Sequence, residues 1–428
     1  MTMPMTMMPN DSFAFTFTLA FAAALVGGFL IRSYLSLRQA KHVAAHRHAV
    51  PQAFSHKVSQ ANHERAADYT LAKSRLGFWE DVLGCVTLLA WTLLGGLALL
   101  NASVLDWLGS NFWQQIVLLL SFMVIGSLIE LPLSIYATFG LEARFGFNKT
   151  TWQTWLVDLV KGTLLGATIG LPLIALVLYL MQAAGPAWWL WAWAALTVFS
   201  VFMMWIAPTV IMPLFNQFTP LEDEALKARV TALMQRCGFS ASGFFVMDGS
   251  KRSAHSNAFF VGFGSTKRVV FYDTLLKQIN MDEMEAVLAH ELGHAHHKHI
   301  VKRMLMQFVV SFAGFALLGW LAGQTWFYTG LGVQPSMTGS NNALALLLFM
   351  LAVPVLMFFV TPVFSFFSRN DEFEADAYAV KHSNGAALAS ALLTLYEDNA
   401  STLTPDPLYM RFYASHPPAT ERLARLTA

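Results

Sequence analysis

Three side chains in one short stretch could do chemistry together: His290, Glu291 and His294, within Met284-Glu-Ala-Val-Leu-Ala-His-Glu-Leu-Gly-His294. The pattern is H-E-x-x-H in a helical context. Helix positions i and i+4 share a face, so both imidazoles can reach one metal ion. Glu291 sits beside them, where it can take a proton from a metal-activated water. The bare pattern arises by chance in roughly one sequence in a hundred of this length, and a pair of satisfied surface histidines is its alternative.

The elements that must position these residues are those of a membrane protein. Of 428 residues, 56% are hydrophobic and only 12% charged, and mean hydropathy is +0.49. That excludes a simple soluble enzyme. A net charge of +1 gives no reason to expect nucleic acid as a partner. The 13 Trp and 35 Phe suit interfacial aromatic belts. Cys85 and Cys237 make no disulfide framework.

Apolar runs at 13–31, 78–100, 113–136, 160–181, 188–207, 304–322 and 343–367 are each long enough to span a bilayer. The first twelve residues hold no Lys or Arg, so the first run reads as a retained anchor. Glu130, Pro132 and Pro172 mark the third and fourth spans as kinked or cavity-lining. Basic residues fill the segment after the first span (Arg32, Arg38, Lys41, Arg47, Lys57, Arg65, Lys73, Arg75), vanish at 101–112, and return at Arg144, Lys149 and Lys161. They vanish again at 182–187 and 323–342, returning after each. The alternation places the N-terminus outside, the C-terminus inside and the H-E-x-x-H segment on the cytoplasmic side.

The expected organisation is an N-terminal membrane region (1–207) with five spans and a basic loop at 33–76, a first catalytic segment (208–302), two further spans (303–367) and a second catalytic segment (368–428). In the first catalytic segment a helix is expected over 221–236, beginning after Thr219-Pro220. Strands follow at 243–247, 258–261 and 268–272, with Gly262-Phe-Gly264-Ser265 as a hairpin signal and Asp273 or Thr274 capping a short helix. In the second, helices are expected at 371–382 and 385–398, then a loop near Pro405. The two segments are expected to join into one small α+β domain.

A catalytic zinc takes three protein ligands and leaves a fourth position for water. Ser368-Arg-Asn-Asp-Glu-Phe-Glu-Ala-Asp376 offers the missing one. Glu372 and Asp376 are four apart on one helix face, so Glu372 can bind the metal while Asp376 fixes a ligating histidine. Glu374, on the opposite side, is the weaker candidate. Acids that merely complement the dipole at a helix start are the alternative.

His290-Glu-Leu-Gly-His294 followed by Ser368-Arg-x-x-Glu372-Phe-x-Ala-Asp376 resembles the integral-membrane zinc endopeptidases of the CAAX prenyl protease type I family. So do Gly146-Phe-Asn-Lys-Thr150, Ile211-Met-Pro-Leu-Phe-Asn-Gln-Phe-Thr-Pro220, Ser256-Asn-Ala-Phe-Phe-Val-Gly262, and Ser415-His-Pro-Pro418 with Glu421 and Arg422. The resemblance implies a mainly α polytopic fold: seven transmembrane helices ringing a chamber, and a cytoplasmic gluzincin-like α+β domain whose site faces it. It implies one Zn²⁺ per chain on His290, His294 and Glu372. It casts Asn257, Ala258 and Phe259 as an edge strand that pairs with substrate backbone, and His416 and Arg422 as a pair that touches the metal site or stabilises the oxyanion. Their alternatives are an ordinary strand, a loop histidine and a helix-face arginine. The implied partners are the lipid bilayer and a peptide or protein substrate, prenylated near its C-terminus or membrane-embedded in quality control.

A zinc transporter or a non-catalytic scaffold are the rival readings. The transporter would need ligands within the spans, and His290, His294 and Glu372 lie outside them. His296, His297 and His299, like His42, His46, His48 and His56 in the first loop, read as solvated, although an imidazole near the site could compete for metal. The final residues carry no dilysine retrieval signal, which favours a bacterial inner membrane over the endoplasmic reticulum.

Overall fold

The structure, a computed structural model, describes residues 9–240, 243–261 and 268–426. The chain opens with α1 (Pro9–His46), α2 (Gln60–Trp91), α3 (Gly96–Leu108), α4 (Phe112–Ile135), α5 (Trp152–Ala183) and α6 (Trp188–Ile206). A π-helical segment, Tyr136–Glu142, continues α4, and another, Ala207–Ile211, joins α6 to the short α7 (Met212–Phe215). After α7 come β1 (Phe218–Pro220), α8 (Glu224–Arg236), β2 (Gly243–Met247), β3 (Ala258–Val261), β4 (Arg268–Tyr272) and α9 (Leu275–Gln278). The remainder is α10 (Met281–His296), α11 (His299–Leu321), α12 (Thr325–Thr329), α13 (Asn342–Met357), α14 (Thr361–His382), α15 (Gly385–Asp398), α16 (Pro407–Tyr413) and α17 (Ala419–Leu426).

Among the described residues six helices are long and apolar enough to cross a membrane, and α2 with α3 makes a seventh if that pair, bent by 52°, is one span. The run at 78–100 is therefore broken rather than straight. α2 stops at Trp91 with Thr92 as its C-cap, and Gly95, at φ +79°, takes the left-handed conformation immediately before α3. The basic loop expected at 33–76 is mostly helix, because α1 and α2 run on past their apolar stretches. Large apolar side chains such as Trp107, Trp113, Val198 and Val309 face outward, as they do when hydrocarbon is the solvent.

Two adjoining hollows lie among the helices, both bordered by Glu80. One, of about 680 Å³, is lined by Leu83, Glu130, Leu133, Leu351 and Pro354, so Glu130 does line a cavity. The other, of about 790 Å³, is bordered by Arg32, Tyr69, Asp81, His255, Tyr396 and Tyr409.

The sheet has the order β1-β2-β4-β3, with β2 and β4 parallel and the outer pairs antiparallel. The three expected strands form at the expected bounds, while Gly262-Phe-Gly264-Ser265 lies outside the described residues. Thr219-Pro220 belongs to β1, and α8 starts later, where the Asp223 carboxylate accepts the Leu226 N–H. Thr274 precedes α9 but its hydroxyl donates to the His255 carbonyl instead of capping. One core holds both polar segments: Leu233, Phe271, Leu288 and Leu292 pack with Tyr378, Leu388 and Leu426. The 146–150 stretch ties this unit to α5, with the Lys149 N–H donating to the Arg252 carbonyl and the Arg252 guanidinium on Asp158 at 2.8 and 2.9 Å.

Candidate active site

The site is built where α10 crosses α14. Helix α10 begins at a capping box: the Asn280 side chain accepts the Glu283 N–H, and the Glu283 carboxylate accepts the Asn280 N–H. Met284, Leu288 and Leu292 then bury one stripe into the core. Beside that stripe the helices almost touch. A Cβ on Gly293 would lie 2.9 Å from Ala375 Cα and 3.0 Å from Ala375 O. The glycine of His-Glu-Leu-Gly-His is thus what lets α14 approach near enough to present a carboxylate.

That carboxylate is Glu372. Its oxygens stand 3.5 Å from His290 Nε2 and 3.4 Å from His294 Nε2. One donor atom from each of the three residues falls within a 4.8 Å cluster. These separations are long for hydrogen bonds, yet ligands at 2.0–2.2 Å on a tetrahedral ion stand about 3.3 Å apart. Glu372 Oε2 is also buried without a hydrogen-bond partner. A buried oxygen left unpaired is costly, and a cation between the three donors would satisfy it. The donor set fits a metal ion.

Helix α14 is continuous from Thr361, so its acids sit mid-helix and not at a helix start. The dipole explanation for them therefore fails. Asp376, one turn after Glu372, takes His290 Nδ1 at 2.9 Å. From α17, the buried Arg422 grips Asp376 with two bonds of 2.6 and 2.9 Å, and its Nη1 lies 3.8 Å from Glu372. Arg422 is thus committed to a carboxylate. His416 is different: its Nε2 is 3.4 Å from Glu372 Oε1, but its side chain is 63% exposed. The two residues both reach the site, one near each oxygen of Glu372, Arg422 locked and His416 exposed.

The electrostatics favour positive charge. Burial pushes the His290 imidazole down, but hydrogen bonds to Asp376 and Glu372 outweigh it and raise it to about 9. Burial also pushes the Glu291 carboxyl above its ordinary range, which poises it to accept a proton.

Two participants escaped the sequence reading. His299, expected to be solvated, is 1% exposed. Its Nδ1 lies 2.9 Å from His294 Nδ1, and its Nε2 lies 3.0 Å from Glu374 Oε2. Glu374 therefore serves this chain of rings instead of the cluster at Glu372. The only sequence signal was spacing, since His299 follows His294 by five residues across a helix break. Tyr396 on α15 feels the charges of Arg422, Glu372 and Asp376 while bordering the larger hollow, and nothing local in the sequence marks it. None of His290, His294 and Glu372 borders that hollow, but Pro418 and Ala419, close to His416 in the chain, do. Ala258 and Phe259 lie on β3, an edge of the sheet, and Asn257 immediately precedes it.

Comparison with known proteins gives a consistent answer. Residues 39–217 match the family described as CAAX prenyl protease N-terminal, five membrane helices, and residues 220–428 match peptidase family M48. The chain is 36% identical to the CAAX prenyl protease 1 homolog of Arabidopsis thaliana over 92% of its own length and 94% of that protein. It is 34% identical to CAAX prenyl protease 1 of Saccharomyces cerevisiae, over 94% and 93%. The crystal structure of S. mikatae Ste24p superposes with a TM-score of 0.89 at 32% identity, covering 96% of this chain and 99% of that one.

Proposed function

Since the chain belongs to the CAAX prenyl protease 1 group of peptidase family M48 and is a multi-pass membrane metalloendopeptidase, we propose the following roles for its residues. His290, His294 and Glu372 hold one Zn²⁺. When bound, zinc supplies Lewis acidity that brings the pKa of its water toward about 7. Glu291 takes the proton of the attacking water and returns it to the leaving amine. Asp376, locked by Arg422, accepts from His290 Nδ1 and so keeps Nε2 directed at the ligand cluster. His416, on the open side, donates to the developing oxyanion. Asn257, Ala258 and Phe259 align an extended substrate along β3, the last strand of the sheet among the described residues. The observation that carries this reading is the buried Glu372 carboxylate, with Oε2 lacking a hydrogen-bond partner 3.5 Å from His290 Nε2 and Oε1 3.4 Å from His294 Nε2.

The substrate we infer is the C-terminal segment of a prenylated protein, with the isoprenoid in the hollow lined by Leu83, Leu133 and Leu351. The catalytic unit, residues 208–302 with 368–428, lies on the cytoplasmic face by the distribution of Lys and Arg. The test is cleavage by purified full-length protein of farnesylated and unmodified forms of one C-terminal peptide. Zinc removal should abolish cleavage, zinc should restore it, and Glu291→Gln should lower it by about 10²–10⁴. Cleavage that survives both zinc removal and Glu291→Gln sinks the metallopeptidase chemistry. Equal cleavage of both peptides sinks the prenyl preference and favours the quality-control role.

A further inference from the structure

Outside the catalytic cluster, a second group of donors converges as closely: His297, His299 and Glu374 each bring one ligand atom within 4.8 Å of the others. Glu374 Oε2 stands 3.0 Å from His299 Nε2 and 3.7 Å from His297 Nδ1. The backbone arranges this. In an unbroken helix, residues two apart point about 200° apart around the axis. Here α10 ends at His296, and Lys298, at φ 56° and ψ 35°, takes a left-handed conformation before α11. That turn brings the rings of His297 and His299 into a stack, 5.5 Å apart and 12° from parallel. Two imidazoles and a carboxylate are a zinc-type donor set.

We propose that His297, His299 and Glu374 form a second Zn²⁺ site, and that filling it opposes the first. The antagonism follows from where protons must sit. With His294 Nε2 turned to the Glu372 cluster, its Nδ1 carries hydrogen, and His299 Nδ1 accepts it at 2.9 Å. The other His299 nitrogen, Nε2, then carries hydrogen and donates to Glu374 at 3.0 Å. A zinc ion on Nε2 displaces that proton to water, and the ring stays neutral by taking a proton from water at Nδ1, which becomes its one N–H. Two N–H groups then face each other across 2.9 Å. His294 loses the acceptor that holds its orientation, and a disturbed partner of a metal-bound histidine typically lowers affinity or activity by about 10–100-fold. The second site fills at higher free zinc than the first, because Glu374 and His297 are partly exposed and water competes for them.

The metal count stands independently of the reaction, while the inhibition rests on the catalytic reading above. Full-length protein in detergent is dialysed against a series of buffered free Zn²⁺ concentrations, and metal per chain is measured by atomic emission. Wild type should rise from one to two zinc ions, and His297→Ala should stay at one. His297 touches no proposed catalytic residue, so this variant should keep basal turnover. Peptidase activity of wild type should fall about tenfold or more as the second ion enters, and that of His297→Ala should not. Glu374→Gln should also bind one ion. Wild type that saturates at one zinc, or His297→Ala that still takes two, overturns the second site. Two ions with undiminished activity overturn the antagonism. A protein that binds two ions and cleaves nothing refutes the peptidase reading and leaves the site intact.

Discussion

Replacing Gly293 by Ala tests whether the closeness of two helices, and not the ligands alone, makes the metal site. The added methyl would lie 2.9 Å from Ala375 Cα, 3.0 Å from Ala375 O and 3.0 Å from Tyr378 Cβ. Carbon atoms rest at about 3.5–4.0 Å, so α14 must retreat from α10 by roughly 0.6–1 Å. No flexible side-chain tip stands in the way to absorb this. Overpacking of this kind costs about 1–3 kcal/mol, while Gly→Ala in a helix interior returns about 1 kcal/mol. The net change in stability should therefore be small, about 0–2 kcal/mol.

Function should respond far more, because Glu372, the proposed third ligand, rides on α14, and metal-ligand geometry tolerates only about 0.2 Å. A displacement near 1 Å is worth about a hundredfold in rate. Zinc competition against a chelator should show at least tenfold weaker binding, and peptidase assays should show about a hundredfold lower kcat/KM. Gly162→Ala on α5, where a Cβ meets nothing within 4 Å, is the control and should change neither. Wild-type zinc affinity and rate in Gly293→Ala would refute the argument that this contact sets the site.

Further outcomes follow from the same geometry. At limiting zinc, Glu372→Gln should lose the metal and Glu374→Gln should retain it, read as zinc per chain after dialysis. Arg422→Lys keeps the charge but cannot make both bonds to Asp376, so zinc affinity or activity should fall about 10–100-fold, by chelator competition and peptide cleavage. Metal binding needs neutral His290, whose proton the metal-free protein holds up to about 9; apparent zinc affinity should thus weaken about tenfold per unit as pH falls from 8 to 6, by calorimetry in buffers of differing ionisation enthalpy. In the metal-free protein the sign reverses. This folded-state pKa lies above the ordinary 6.5, so its stabilisation is full below pH 6.5 and is lost as pH rises through about 9, in thermal melts under chelation.

Much of this protein is legible without coordinates where the signal is local. Runs of apolar residues identify a membrane protein because bilayer thickness sets their length. Period-two and period-3.6 patterns place the three strands and pair Glu372 with Asp376 on one face, since those periods are properties of the backbone. Signals fail where one backbone state hands over to another. The run at 78–100 carries the right hydropathy, but the helix breaks between Trp91 and Gly96 and bends by 52°. The acids at 371–376 read as a helix start because charge begins there, although α14 had begun at Thr361 under an apolar stretch.

The meeting of faces was decided only in three dimensions. Arg422 lies 46 residues from Asp376, and His299 turns inward on Glu374 only because Lys298 breaks the helix. Gly293 is a plain helical glycine in the sequence and the point of closest approach in the fold. Side-chain periodicity says which residues share a face. Which faces touch, and how nearly, depends on the packing of the whole core, and no short stretch of sequence contains that information.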